Sequence, residues 1–308
     1  MKTNSIFTIL LFLCLASFAQ QKNLAEKLGY PKDAKLLIIH ADDAGVCHSA
    51  DSAITLAYQK GAITSASIMV PCPWFTEIAA FAKSHPEMDW GIHLVLTAEW
   101  KIYKWKGVST AANLSLLDKN GYFYAEVAGV AAHAKVDEAE KELRAQIDMA
   151  KAYGIKLTHI DTHMGSVLAS ADMMRMYQRL GKEYGLVALV PTSYVKMLAP
   201  KFAAAIDTTG IMVDNFIMAS AMAPADKWKN FYNYSLQHIK PGLNELVFHL
   251  GFDNDELRAV TTGQTDYGSA WRQQDYNYAT SPEFKAQLKQ SGIQLVTWGD
   301  IQKVVYGK

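Results

Sequence analysis

The residues best able to do chemistry fall in three short stretches: His40-Ala41-Asp42-Asp43-Ala44-Gly45, Gly91-Ile92-His93-Leu94 and His159-Ile160-Asp161-Thr162-His163. Taken singly, each has an ordinary structural explanation. Paired aspartates after an apolar run often close a turn or cap a helix, and a histidine inside an apolar strand is commonly a hydrogen-bonded core residue. The third stretch resists that explanation. His159, Asp161 and His163 alternate at period two, so an extended backbone turns all three to one side, where three burial-averse groups need partners together. One carboxylate with two imidazoles is a natural ligand set for a single divalent ion, with positions left for water or substrate. Asp43, His93 and His163 are the expected ligands, and Asp42 the expected general base toward a metal-bound water. His159 and Asp161 are expected to orient the ligands from behind. Mixed oxygen and nitrogen donors admit Mg2+ as well as Zn2+, so the identity of the ion stays open.

Such groups meet only if their stretches end at the same edge of the fold. Lys35 to His40 is a continuous apolar run, the mark of a strand covered on both faces. Further strands are expected at Ser65–Val70, Trp90–Leu96, Leu157–Asp161, Leu186–Val190, Ile211–Met218, Glu245–Leu250 and Gln294–Trp298. Between them lie helical patterns at Ala50–Lys60 (with Ser49 as N-cap), Trp74–Lys83, Val136–Tyr153, Asp172–Tyr184, Lys227–Ile239 and Pro282–Lys289. Strand and helix in alternation give an α/β fold with a parallel sheet. The closed form expected is a (β/α) barrel, TIM-like but irregular, of seven or eight strands. In such a barrel, chemistry gathers beyond the carboxyl ends of the strands, which is where the three stretches fall. No linker, charge block or repeat divides the chain, so residues 20–308 are read as a single domain.

The 308 residues are 50% hydrophobic and 19% charged, the balance of a folded protein. Thirty basic and thirty acidic side chains leave a formal net charge of +0, so no basic excess exists to neutralise a nucleic acid backbone. Residues 1–19 read as a secretory signal peptide: Lys2, the apolar run Ile6–Leu15, and small residues Ser17 and Ala19 before a cut at Gln20. Leu13 before Cys14 argues against lipidation, since a small residue is wanted there. The expected mature protein is exported, with no membrane span left after cleavage. Export permits a disulfide between Cys47 and Cys72, but spacing cannot establish its geometry, and the simpler expectation is two unpaired, half-buried thiols.

The three stretches, together with Gly61-Ala62-Ile63-Thr64-Ser65-Ala66-Ser67 and the order in which all four occur, resemble the YdjC-like carbohydrate deacetylases, a family that includes chitooligosaccharide deacetylases. Thr280-Ser281-Pro282 and Gly292-Ile293-Gln294-Leu295-Val296-Thr297 are similar too, so the likeness spans nearly the whole mature chain. It implies an irregular (β/α) barrel and metal-dependent hydrolysis of an N-acetyl group from an amino sugar or oligosaccharide. By motif position it assigns Asp43, His93 and His163 to the metal and Asp42 to the base. His249 matches a histidine that protonates the departing amine. The chain departs from the family pattern at Met164-Gly165-Ser166, at Ala44 where phenylalanine is common, and at Leu250 where proline follows the histidine. These change the pocket wall, so specificity for a disaccharide does not carry over.

After the third strand, Trp100, Tyr103 and Trp105 alternate with Lys101, Lys104 and Lys106. They read either as a platform for a sugar ring or as packing over the barrel edge. Arg272, with Trp271 and Asp275, is a further candidate for the pocket, whereas Met173, Met174 and Met176 read as helix packing. Two other functions fit the same residues: hydrolysis of an ester or phosphoester, and sugar binding without catalysis. Oligomeric state is not legible.

Overall fold

The computed structural model describes residues 22–110, 114–193, 196, 206–207, 210–220 and 228–307. The signal-peptide expectation at residues 1–19 lies outside them, as does Cys14. Among the described residues no helix is long and apolar enough to cross a membrane.

Leu36, Leu37, Ile38 and Ile39 are all buried, as a strand packed on both faces requires, and they form the centre of the sheet. Its strands are β1 (Lys35–Ala44), β2 (Ser65–Ile68), β3 (Trp90–Leu94), β4 (Leu157–Thr162), β5 (Val187–Ala188), β6 (Asn215–Met218), β7 (Gly242–Phe248) and β8 (Ile293–Leu295). They run in the order β5-β4-β3-β2-β1-β7-β6, and every pairing is parallel. β8 pairs Lys35–Leu37 of β1, sharing that edge with β2, which takes over from His40 onward. The sheet curls until its two end strands approach each other. Among the described residues that seam is a parallel bridge between Pro191 and Val213, with hydrogen bonds of 3.1 Å and 3.2 Å. The irregular barrel expected from the strand–helix alternation is therefore present, weakest between β5 and β6.

Helices cover the outside of the sheet. The helix Val136–Ala152 turns Leu143, Ile147 and Ala150 inward and also buries Glu142 and Gln146. Those two polar side chains have a definite use. Gln146 bonds the backbone N–H and C=O of Val95, and Glu142 accepts from the N–H groups of Val108 and Ser109 at 3.0 Å. The long connection after β3 is thus pinned to a helix. Met173, Met174 and Met176 are buried on the helix Ala171–Tyr184, as read from sequence.

Several expectations shift. β1 runs past His40 to Ala44, with its register to β2 slipping between Ala41 and Ala44. The strand expected at Gln294–Trp298 ends at Leu295, because Thr297 caps a helix Trp298–Tyr306 through a capping box with Asp300. Strands expected at Leu186–Val190 and Ile211–Met218 shorten to β5 and β6. Helices at Asp255–Val260 and Ser269–Ala279 lack a clean apolar stripe and were not expected. Cys47, not Ser49, occupies the N-cap of the helix His48–Gln59; Glu256 instead accepts from the N–H groups of His48 and Ser49. Cys47 and Cys72 are unpaired and fully buried rather than half-buried, and burial pushes the Cys47 thiol up to about 12.

Gly91 pairs with His159 across β3 and β4, and a methyl group there would collide with the imidazole of His159. Gly91→Ala should cost about 1–3 kcal/mol of stability, read as a lower urea midpoint with an unchanged slope. An unchanged midpoint would mean that the His159 ring is free to move aside.

Candidate functional site

The slip in β1 determines how the two aspartates point. A bulge leaves extra residues unpaired and re-aims their side chains. Here Asp43 takes φ +68°, a conformation that non-glycine residues seldom adopt. His93 comes from β3, and His163 follows directly on β4 before a left-handed turn at Met164 and Gly165. These three residues, far apart in sequence, converge. Oδ1 of Asp43 lies 3.4 Å from Nε2 of His93 and 3.5 Å from Nδ1 of His163, and the two nitrogens are 3.3 Å apart. All three side chains are buried, yet Asp43 Oδ1 has no hydrogen-bond partner.

That arrangement fits a divalent ion. Three ligands at about 2.0–2.1 Å from one tetrahedral centre stand about 3.3–3.4 Å from each other, close to the spacing observed. An orphaned buried carboxylate oxygen is costly unless something cationic meets it. Asp43, His93 and His163 form a group that could hold a metal ion.

Each of the three is held from outside. Asp161 Oδ1 sits 2.7 Å from His93 Nδ1, Glu99 Oε2 sits 2.8 Å from His163 Nε2, and Arg272 Nη2 donates to Asp43 Oδ2 at 2.6 Å. A carboxylate on one ring nitrogen fixes the N–H there and leaves the other nitrogen's lone pair free for an ion. Burial opposes a charge on His163, but Glu99 and Asp43 together outweigh it and raise its pKa to about 10. His93 is raised in the same way, against its burial, by Asp161 and Asp42. Burial pushes the Asp43 carboxyl up, and the Arg272 guanidinium together with His163 and His249 more than reverses that, holding it well below the ordinary range.

Asp42 stands beside this group. Its Oδ1 is 3.2 Å from Nε2 of His40, and its Oδ2 faces Nε2 of His249 at 3.8 Å. His249 follows directly on β7, donates its backbone N–H to Asp275 and packs on Tyr267. Burial brings its pKa down to about 4, despite the pull of Asp43 and Asp42, so the imidazole is neutral at rest rather than protonated. Asp161 sits behind His93, on the ring nitrogen that faces away from Asp43. His159 lies a layer deeper, bonded to Thr158 and stacked on Trp298, and its nearest catalytic-site neighbours are His40 and Asp161.

A cavity of about 450 Å³ opens over these groups. Trp100 and Arg272 line it, whereas Tyr103 and Trp105 do not. Trp105 is buried and donates to the Thr97 carbonyl, Tyr103 donates to the Val46 carbonyl, and both rings brace Trp100 at 5.8 Å. Lys104 is engaged with the Ala98 carbonyl. Arg272, almost wholly buried, gives Nη2 to Asp43 and Nε to the Tyr267 carbonyl, leaves Nη1 without a partner among the described residues, and lies over the Trp100 ring. The far wall is apolar, formed by Met164, Leu168, Phe216 and Met218. Two participants escaped sequence reasoning. Glu99 lies in an aperiodic connection, and His40 reads as the last residue of an apolar strand.

A family model described as YdjC-like protein matches residues 36–290. A carbohydrate deacetylase of Thermus thermophilus is 31% identical over 289 residues, covering 92% of this chain and 100% of that protein. A carbohydrate deacetylase of Geobacillus stearothermophilus is 27% identical, covering 87% of this chain and 98% of its own. Among solved structures, a protein of Enterococcus faecalis V583 superposes with a TM-score of 0.73 at 22% identity, covering 87% of this chain and 99% of that one, a likeness of fold.

A protonated imidazole cannot ligate, so an ion taken up here must displace protons. Titrating Zn2+ into chelator-treated protein in two buffers of different ionisation enthalpy should show proton release, with affinity rising from pH 6 to pH 8. Binding without proton release would place the ion away from His93 and His163.

Proposed function

Because this chain belongs to the YdjC-like family, we propose that it is a metal-dependent deacetylase that removes the N-acetyl group from an amino sugar or oligosaccharide. The observation that carries the proposal is the convergence of Asp43 Oδ1, His93 Nε2 and His163 Nδ1 at the floor of a cavity, beside a carboxylate and a neutral imidazole. The names of the relatives point to an acetyl group on a carbohydrate, and the motif resemblance supports the N-acetyl bond in particular. The signal-peptide pattern of residues 1–19 supports an exported mature enzyme.

Bound there by Asp43, His93 and His163, a divalent ion would polarise the acetamide carbonyl and make water acidic near neutral pH. The residues of the chain do the rest. Oδ1 of Asp42 is engaged with His40, so Oδ2 is the atom available to take the proton of the attacking water. The water oxygen bonds to the carbonyl carbon, and the carbon–nitrogen bond breaks. His249 Nε2, facing Oδ2 of Asp42 and neutral at rest, can accept that proton and pass it to the departing nitrogen. The products are acetate and a free amine. Trp100, braced by Tyr103 and Trp105 and covered by Arg272, shapes the cavity wall beside the sugar, and Arg272 helps keep Asp43 ionised.

The test is an assay of metal-loaded protein against N-acetylated oligosaccharides, acetyl esters and phosphoesters. The expected outcome is acetate with equimolar amine from the first. Phosphate from the last, or acetate from the esters alone, would assign a different bond. Asp42→Asn should keep Zn2+ and lower kcat by about 10²–10⁴-fold, whereas His163→Ala should lose the ion. Full turnover by Asp42→Asn would remove it as the base.

A further inference from the structure

The mechanism uses Asp42 and depends on Asp161, and both carboxylates end on one nitrogen. His40 is fully buried in β1, one layer beneath the cavity. Its Nε2 lies 3.2 Å from Asp42 Oδ1 and 3.1 Å from Asp161 Oδ2. Nδ1 sits 3.1 Å from Ser65 Oγ, and Nε2 also touches Ser67 Oγ at 3.0 Å. Ser65 and Ser67 stand two apart on β2, so both hydroxyls face the same way and fix the ring from one side. Ser65 Oγ donates toward the Asp89 carbonyl, so it accepts from Nδ1–H, and a nitrogen facing two carboxylates must carry a proton as well.

We infer that His40 is a positioning residue that clamps the base Asp42 and the ligand-orienting Asp161 to a single imidazole N–H. The inference rests on the reading of Asp42 as the base. Asp42 has one oxygen on the clamp and the other turned to His249. Asp161 has one oxygen on the clamp and the other on His93. A movement of the His40 ring therefore reaches the proton-accepting oxygen and a metal ligand at once. The clamp is charge-compensated too. Burial works against a proton on His40, but Asp161 and Asp42 override it and hold the ring cationic.

The amide nitrogen of glutamine reaches about where Nε2 stands, and that of asparagine about where Nδ1 stands. Full-length His40→Gln and His40→Asn are compared with wild type for melting temperature, for Zn2+ affinity by competition with a chromogenic chelator, and for kcat and KM on an N-acetylated oligosaccharide. His40→Gln should stay within about tenfold of wild type in both Zn2+ affinity and kcat. His40→Asn, folded to a similar melting temperature, should bind Zn2+ about 10–100-fold more weakly. At saturating Zn2+ its kcat should stay down by more than tenfold with KM moved far less. Equal behaviour of the two variants would overturn the clamp, because a purely structural histidine does not distinguish which nitrogen is replaced. Recovery of full kcat by His40→Asn at saturating Zn2+ would overturn it as well, by freeing Asp42. If wild-type protein releases no acetate, the deacetylase reading fails by itself, and the Zn2+ affinities still decide whether His40 holds Asp161 and His93.

Discussion

The interaction on which the site depends is the crowding of one carboxylate oxygen and two imidazole nitrogens into a triangle with sides of 3.3–3.5 Å. Within the triangle the only hydrogen bond is the one between the two nitrogens. Asp43 Oδ1 has no hydrogen bond, and two nitrogens at 3.3 Å must share whatever proton lies between them. Buried polar atoms in that condition are expensive, so the surrounding fold has to impose the geometry. It does so with one outside partner per residue: Arg272 for Asp43, Asp161 for His93 and Glu99 for His163. The irregular parts of the structure serve the same end. The slip in β1 aims the two aspartates, the left-handed turn after His163 ends β4 under it, and the connection after β3 is pinned to the helix Val136–Ala152 so that Glu99 arrives in place.

Beneath this triangle the barrel interior is polar for another full layer, which is unusual for a space normally filled by branched apolar side chains. His40, Asp161, His159 and Glu245 stack there. Trp298 donates to Glu245, whose carboxyl burial pushes up to about 8, and Ser65 and Ser67 close the sides. Networks of this kind specify one arrangement when satisfied and are costly when they are not. Gly91 belongs to the same argument, since its missing side chain is the space that the His159 ring fills.

Much of this was legible in the sequence, for a physical reason. Residues at the carboxyl ends of parallel strands share an edge, so Asp42, Asp43, His93 and His163 could be brought together without coordinates. Period two correctly turned His159 and Asp161 to the inside, but it could not say that His159 would lie a layer deeper than His93 and His163. Glu99 gave no signal because its segment has no period, and its position depends on the distant Glu142 and Gln146. Arg272 was expected at the pocket and lines it; that its Nη2 would also hold Asp43, a pairing 229 residues apart, is something composition cannot foretell. Trp105 and Tyr103 share the aromatic cluster with Trp100, yet spacing alone does not reveal which of three neighbours faces the cavity. At the far end, Thr297-Trp298-Gly299-Asp300 carries a capping box that marks a helix start, and the apolar run before it masked that boundary.

The most direct measurement is anomalous diffraction from crystals of the protein loaded with Mn2+ or Zn2+. One strong peak within bonding distance of Asp43 Oδ1, His93 Nε2 and His163 Nδ1, with Glu99, Asp161 and Arg272 unmoved behind them, is the predicted result. A peak at another group of side chains, or none at these three under saturating metal, would contradict the account.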